Sequence, residues 1–212
     1  MESTGEKDVR PIPRGWAADP GELRDKRAVA DRLKGGVVAN VRYVTLDYGR
    51  SAAARADDPG GLDWRLITSN SEWEDPAWLV GVNHTIDFAI ELAMSDGRVF
   101  YVRWDPLGDA ESMCLGEGYI ADELYLLGGA AIWDVSKEEP WVRFVGSAIE
   151  SVSLGYEAWS SDGGFWCTSI LISAGGSQAR IELKDVDADG KIVPAADNLM
   201  VLTDTATEVA GL

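Results

Sequence analysis

The clearest pattern of apolar and polar positions in the chain runs from residue 80 to residue 94. Large apolar side chains occupy only even-numbered positions, namely Val80, Val82, Ile86, Phe88, Ile90, Leu92 and Met94, and His84 falls in the same series. A period of two predicts a half-buried β-strand over about 82–94. The odd-numbered carboxylates Asp87 and Glu91 would then lie on its polar, solvent-facing side.

The turn after this strand sets its pairing. Ser95-Asp96-Gly97 is followed by a second apolar run over 98–104. A two-residue loop would place Ile90 opposite Arg103, whereas a three-residue loop buries one clean apolar face. The three-residue loop gives the pairs Leu92 with Phe100, Ile90 with Val102 and Phe88 with Trp104. We therefore expect an antiparallel hairpin with a bulged type I turn and a left-handed Gly97.

Other signals outline the remaining elements. Asp19 is typical of a helix N-cap, Pro20 fits the first helical position, and Gly35-Gly36 supplies a stop, so a helix is predicted over 20–34. Residues 1–18 are expected to form a flexible arm. Further strands are predicted over 37–47, 63–68, 148–160, 165–173, 178–185 and 198–203, a short helix over 119–127, and loops over 48–62 and 105–118.

A faint internal duplication organises the body of the chain. An acid-Pro-Trp-Val-Gly order occurs in 74–81 and again in 138–146, and each copy leads to a Ser-Asp-Gly turn. A unit used twice predicts pseudo-repeats over about 74–127 and 138–204, with Trp78 and Trp141 in equivalent positions. Chance similarity is the alternative, because Asp-Gly turns are common.

These elements predict a mainly β fold, with α+β at the margin. The expected architecture is an antiparallel sandwich or a partly open barrel built from two repeated hairpin units, with one N-terminal helix. Residues 19–212 would form a single β-rich domain, since the length and the apolar content allow one substantial core.

Charge narrows the range of partners. The chain has 36 acidic and 19 basic residues and a net charge of -17. Residues 1–34 hold eight basic and seven acidic residues, so the acidic excess lies beyond them, and the stretch 105–139 contains nine acids and one base. Such a field repels nucleic acid and anionic membranes and favours a basic protein partner. Solubility alone is the simpler explanation of an acidic surface.

Location and redox state follow from what the sequence contains. No apolar run reaches the roughly 20 residues of a membrane helix, and residues 1–15 lack the apolar core of a secretory signal. A cytoplasmic location is therefore expected. Two cysteines, Cys114 and Cys167, are too few for a disulfide framework in a chain of this size and fit reduced, buried thiols.

Candidate catalytic chemistry is sparse. His84 is the only histidine, and in an apolar series it is expected to be a core or rim residue bonded to a neighbour. The sequence contains no nucleophile elbow, phosphate loop, dinucleotide fingerprint or paired CxxC. We therefore assign no catalytic residue and no cofactor.

One motif resembles a metal site. Asp185, Asp187 and Asp189 alternate before Gly190, as in the first half of a calcium loop. Position twelve of that loop would be Ala196, where a bidentate glutamate is needed. The sequence therefore favours a plain acidic hairpin turn over a calcium site.

The partner-facing residues predicted from the acidic stretch are Glu117, Asp122, Glu123, Trp133 and Asp134. Carboxylates there would steer a basic partner, and a tryptophan left exposed beside them would anchor it. Trp64 and Trp73 are further candidates for such an anchor.

The Pro-Trp segments and the run from Asp197 to Leu202 resemble uncharacterised bacterial β-rich proteins of the immunity-protein type over residues 76–204. The resemblance implies a non-catalytic intracellular protein that neutralises a basic partner, such as a toxin. The alternative is a small-molecule-binding barrel or sandwich enzyme, of cyclase or isomerase type, with Asp87 or Glu91 as base. A closed apolar cavity holding a charged side chain would favour the enzyme, and a flat acidic patch would favour the binding protein.

Overall fold

Twelve strands, an α-helix and a short 3-10 helix form the part of the chain that the computed structural model describes, residues 15–46, 64–67, 78–80, 83–105, 112–120, 130–158 and 163–202. In chain order the elements are α1 (Pro20–Leu33), β1 (Val38–Leu46), β2 (Trp64–Ile67), β3 (Leu79–Val80), β4 (Asn83–Ile86), β5 (Phe88–Met94), β6 (Val99–Trp104), β7 (Met113–Glu117), β8 (Ala130–Asp134), the 3-10 helix Trp141–Arg143, β9 (Ile149–Ala158), β10 (Phe165–Ala174), β11 (Ser177–Val186) and β12 (Ile192–Leu202). Among these residues no helix is long and apolar enough to cross a membrane.

The strands form two six-stranded sheets. Sheet 1 has the spatial order β2-β8-β1-β5-β6-β7, and sheet 2 has the order β3-β4-β12-β11-β10-β9. Neighbouring strands run antiparallel, except that β2 and β8 are parallel. Buried apolar side chains of both sheets meet in one core. The fold is therefore a β-sandwich with one helix, which confirms the predicted fold class.

The hairpin at Ser95-Asp96-Gly97 has the predicted register. In the pairing of β5 with β6, Leu92 lies opposite Phe100 and Ile90 opposite Val102. Gly97 adopts a φ of 88°, the left-handed conformation that the three-residue loop requires.

The long alternating segment is two strands instead of one. A bend at Asp87 separates β4, which pairs with β12 in sheet 2, from β5, which pairs with β1 in sheet 1. The alternation continues across the bend because residues on both sides of it face the shared core: Ile86 and Ile90 are fully buried there. Periodicity alone does not reveal that the strand changes sheets.

Helix α1 matches the predicted bounds to within one residue and has the predicted N-cap. The Asp19 carboxylate accepts hydrogen bonds from the backbone N–H groups of Gly21 and Glu22, at 2.6 and 3.0 Å, which satisfies two of the free donors at the helix start. The helix packs against β7 and β9, the edge strands of the two sheets. It therefore closes one side of the sandwich.

Residues 15–18 belong to the folded body, although they were expected to be part of the arm. Ala17 exchanges two backbone hydrogen bonds with Phe165, and Gly15 donates to the buried carboxylate of Asp105 at 3.0 Å. A Cβ atom at Gly15 would lie 2.5 Å from the carbonyl oxygen of Met113, so only glycine fits there. Residues 1–14 of the predicted arm lie outside the described residues.

Two strands of sheet 1 were not predicted. β7 lies within the stretch 105–118 that was expected to be a loop, and β8 follows the expected helix over 119–127, most of which lies outside the described residues. The other predicted strands match β1, β2, β9, β10, β11 and the end of β12 within a few residues.

The two duplicated segments lie on different elements. Trp78 directly precedes the two-residue strand β3, whereas Trp141 begins the 3-10 helix. The hairpin that follows Trp78 is in sheet 1, and the hairpin that follows Trp141 is β9–β10 in sheet 2. What the two tryptophans share is their neighbour: both rings pack edge-on against Tyr43.

Candidate functional site

The predicted partner-binding residue Glu117 lies in an open groove between α1 and the end of sheet 1. The groove, called here the α1–β7 groove, has a volume of about 600 Å³. Its walls are formed by Val29 and Arg32 of the helix, Arg98 of the hairpin, and the segment Leu115–Tyr119. The groove exists because α1 packs against β7 at the sheet edge and leaves the turn residues 97–98 and 118–119 around it.

Charge in the α1–β7 groove is balanced and held in place. The Glu117 carboxylate pairs with Arg32 at 2.8 Å. Arg98 donates to the main-chain carbonyl of Arg32 at 2.7 Å and to the Asp96 carboxylate at 2.9 Å. The side-chain hydrogen bond from Arg98 lowers the pKa of Asp96 below its ordinary value, so Asp96 stays ionised. Two arginines and two carboxylates thus form a polar rim at this end of the molecule.

An exposed aromatic ring stands beside this rim. Tyr119 is 51% exposed, the most exposed of the large hydrophobic side chains among the described residues. Its neighbour Ile120 is fully buried and fixes the backbone below it. Tyrosine is a frequent anchor in protein interfaces, because its ring is large and rigid and its hydroxyl is polar. Asp122 and Glu123, which follow in sequence, lie outside the described residues.

Trp133 is wrongly predicted as a surface contact. It is only 2% exposed, and its indole N–H donates to the hydroxyl of Thr45 at 3.1 Å. Trp133 lies on β8, an inner strand of sheet 1, and packs edge-on against Trp78. It is a core residue. The side chain of Trp64 and the whole of Trp73 lie outside the described residues.

Asp134 is exposed, but it is distant from Glu117. Its carboxylate accepts a hydrogen bond from the backbone of Ser136 at 3.0 Å. Partial burial acts to raise the pKa of Asp134, but the hydrogen bonds from Ser136 outweigh it and hold that pKa below its ordinary value. Three strands separate β8 from β7, so the two carboxylates are roughly 19 Å apart at about 4.8 Å per strand. The structure does not combine them in one patch.

The only histidine belongs to a buried polar centre in the core. His84 Nδ1 and the Tyr43 hydroxyl are hydrogen-bonded at 2.8 Å, and the same hydroxyl accepts the indole N–H of Trp141 at 2.5 Å. The Trp78 ring packs on His84 with centroids 4.6 Å apart. Burial lowers the pKa of His84 to about 4 and raises that of Tyr43 far above its usual range. The neutral histidine is a core residue bonded to a neighbour, as expected.

Glu91 is buried, contrary to its predicted place on a solvent-facing strand surface. It is 2% exposed, forms an ion pair with Arg42 of β1, and accepts the backbone N–H of Ile120 at 2.9 Å. Strand periodicity placed it correctly on the outer face of sheet 1, but Ile120 covers that face at this point. Both oxygens of the Glu91 carboxylate are engaged in these contacts, so Glu91 does not face an open cavity as a free base would. The other candidate base, Asp87, lies at the bend between β4 and β5.

The Asp185–Gly190 segment is a hairpin turn between β11 and β12. Asp187 accepts the backbone N–H groups of Asp189 and Lys191, at 3.0 and 2.8 Å, and Asp185 accepts the side-chain amide of Asn198 at 2.9 Å. Two of the three carboxylates, those of Asp185 and Asp187, are therefore engaged in hydrogen bonds within the hairpin. In the described part of the chain, no three acidic, histidine or cysteine side chains are grouped as a metal site.

Neither cysteine forms a disulfide, and both are buried. Cys167 lies on β10, and burial raises the pKa of its thiol to about 12. A thiol with so high a pKa is unreactive at neutral pH. The predicted burial of both cysteines is confirmed.

The residues that sequence reasoning missed are Arg32, Arg98 and Tyr119. Arg32 lies within the predicted helix, but only the packing of α1 on β7 brings it to Glu117. Comparison with known proteins gave no matching family model, no matching curated protein and no matching solved structure.

Proposed function

We propose that the protein is a non-catalytic binding protein that captures a basic protein partner at the α1–β7 groove. The observation that carries the proposal is Tyr119, whose exposed ring stands next to Glu117 in an open groove of about 600 Å³. An aromatic anchor with a charged rim is the usual composition of an interface centre.

The buried ionisable groups support binding over catalysis. His84 and Glu91 are each hydrogen-bonded to neighbours in packed surroundings, and neither lines the α1–β7 groove. A general base needs a free lone pair within reach of a substrate. These two buried side chains therefore serve the fold.

The net charge of -17 sets the class of partner. It gives any basic protein a faster encounter and disfavours nucleic acid and anionic membranes. A cytoplasmic immunity-type protein that neutralises a basic toxin fits this description. The resemblance of residues 76–204 to such proteins led to the same class.

The test is a binding experiment with matched variants. Wild-type protein is used to capture a partner from a lysate of its own host, and the captured protein is then purified for surface plasmon resonance. Tyr119→Ala should speed its dissociation by about 10-fold or more, since removing an interface anchor costs more than 1 kcal/mol. Glu117→Lys should mainly slow association, and the loss should shrink as salt rises.

The matched control is Asp134→Lys, which makes the same charge reversal on the other side of sheet 1. It should change association less than Glu117→Lys does. Equal effects of the two reversals, together with unchanged dissociation for Tyr119→Ala, would remove the α1–β7 groove from the interface. Catalytic turnover by the purified protein would overturn the binding assignment itself.

A further inference from the structure

A second groove opens on the outer face of sheet 2, where β10 and β11 part. The two strands pair from the turn at Ala174 and Ser177 as far as Ser169 and Glu182. Beyond that point β10 continues to Phe165 and β11 continues to Val186, but they no longer pair with each other. The ladder therefore ends in a wedge, called here the β10–β11 groove.

The size of the β10–β11 groove suits a small molecule. Its volume is about 520 Å³, within the range of about 300–1,000 Å³ that ligand pockets occupy. At the far end, the backbone of Phe165 is already paired with Ala17. The N–H of Cys167 is taken by the hydroxyl of Ser112 at 2.8 Å. A ligand in the β10–β11 groove would therefore be bound mainly by side chains.

One end of the groove is cationic and fixed. Glu182 is 6% exposed and forms ion pairs with both Arg180 and Lys184. One carboxylate between two cations leaves an excess of one positive charge in an otherwise acidic protein. The side chains of Arg180 and Lys184 remain 58% and 36% exposed, so their outer N–H groups can still reach an anion. Glu182 holds the two cations in position.

The other end is anionic and aromatic. Glu157 of β9 lies directly opposite Trp166 of β10, and both line the groove. The hydroxyl of Thr168 donates to the Glu157 carboxylate at 3.0 Å, which orients it. A carboxylate beside an indole ring is a favourable place for an ammonium group, through charge and through the cation–π interaction. Leu183 and Pro194 supply apolar surface between the two ends.

We propose that the β10–β11 groove binds a small zwitterion of the ω-amino-acid class, whose carboxylate and ammonium groups lie at the two ends of an apolar chain. The carboxylate of the ligand pairs with Arg180 and Lys184, the ammonium group lies at Glu157 and Trp166, and the apolar part packs on Leu183 and Pro194. This site is separate from the α1–β7 groove and does not depend on a protein partner.

The experiment is calorimetric titration of the full chain with three matched probes. 6-Aminohexanoate carries both charges at the ends of an apolar chain, hexanoate carries the carboxylate alone, and pentylamine carries the ammonium alone. Because each charged end contributes separately, 6-aminohexanoate should bind about 10-fold or more tightly than either fragment. No heat with 6-aminohexanoate at about 20 mM would overturn the proposal, since that concentration exceeds the Kd of a weak ligand site.

Variants assign each end of the ligand. Arg180→Gln should weaken the binding of 6-aminohexanoate by about 10-fold and leave that of pentylamine unchanged, and Glu157→Gln should weaken the binding of 6-aminohexanoate and pentylamine but spare that of hexanoate. Lys191→Gln in the β11–β12 turn and Glu150→Gln in β9 are the controls, since each removes one exposed charge away from the groove. Binding of 6-aminohexanoate that survives both groove variants would also overturn the proposal.

Discussion

The outer faces of the two sheets differ in what covers them. In sheet 1, six of the seven residues of β5 are buried, so this strand is enclosed on both faces. In sheet 2, β11 alternates over its first half, with Gln178 and Arg180 exposed, and its second half borders the open β10–β11 groove. One sheet is an interior layer, and the other has a face available for binding.

Two buried carboxylates make the difference concrete. Glu91 on β5 and Glu182 on β11 are both on the outer faces of their sheets and almost fully buried. Glu91 is closed in by the backbone of Ile120, whereas the partners of Glu182 reach solvent. The buried carboxylate of sheet 1 therefore stabilises a covered face, whereas the buried carboxylate of sheet 2 belongs to an open charged surface.

The largest expected effect tests these two carboxylates against each other. Glu91→Ala should reduce the free energy of unfolding by about 4 kcal/mol, because it leaves the Arg42 cation and the Ile120 N–H without their acceptor in a covered site. Glu182→Ala should cost about 1 kcal/mol, because exposed cations are readily solvated. Urea denaturation followed by tryptophan fluorescence measures both values. Equal losses in the free energy of unfolding would contradict the difference between the two faces.

The next effect concerns the core in which the sheets meet. His84 of sheet 2 is held neutral against Tyr43 of sheet 1, with a pKa of about 4 in place of 6.5. Between pH 6.5 and pH 4 the unfolded chain binds a proton at His84 that the folded chain does not. Stability should therefore fall by about 3 kcal/mol as the pH drops through this window, and His84 should contribute no further loss below it.

The control for this effect is His84→Gln, which can still accept from the Tyr43 hydroxyl but does not titrate. Its free energy of unfolding should depend less steeply on pH than that of the wild type between pH 6.5 and 4. Parallel curves for the two proteins would show that His84 is accessible to protons in the folded state.

The smallest effect compares the hairpin turns of the two sheets. Asp187→Ala should cost about 1 kcal/mol, since the carboxylate accepts two backbone N–H groups in the β11–β12 turn. Asp96→Ala removes a similar acceptor from Arg98 in the β5–β6 turn and should also destabilise the fold. Differential scanning calorimetry measures both. A large stabilisation of the wild type by millimolar calcium would contradict the role of Asp187 as a turn residue.

The hairpin of sheet 1 could be predicted from sequence because its determinants are local. Loop length, the need of Gly97 for a left-handed conformation, and the alternation of β5 together leave one register. Helix α1 was predicted for the same reason, since its N-cap, its first-turn proline and its glycine stop lie within the segment itself.

The misassigned residues depend on distant contacts. Glu91 looks solvent-facing in any period-two pattern, because the covering contact comes from Ile120, 29 residues away. Trp133 looks like an exposed aromatic in an acidic stretch until Thr45, 88 residues away, is seen to accept its N–H. The α1–β7 groove is likewise made by packing between separate elements, so sequence identified Glu117 but not Arg32 or Tyr119.

The single bend at Asp87 determines how the molecule can come apart. Ile86 is paired with Leu199 in sheet 2, and two residues later Phe88 is paired with Thr45 in sheet 1. Local unfolding of either sheet must displace this junction and expose the core that the two sheets share. The two sheets are therefore one cooperative unfolding unit, and amide hydrogens of β4 and β5 should exchange with solvent only in the global unfolding reaction.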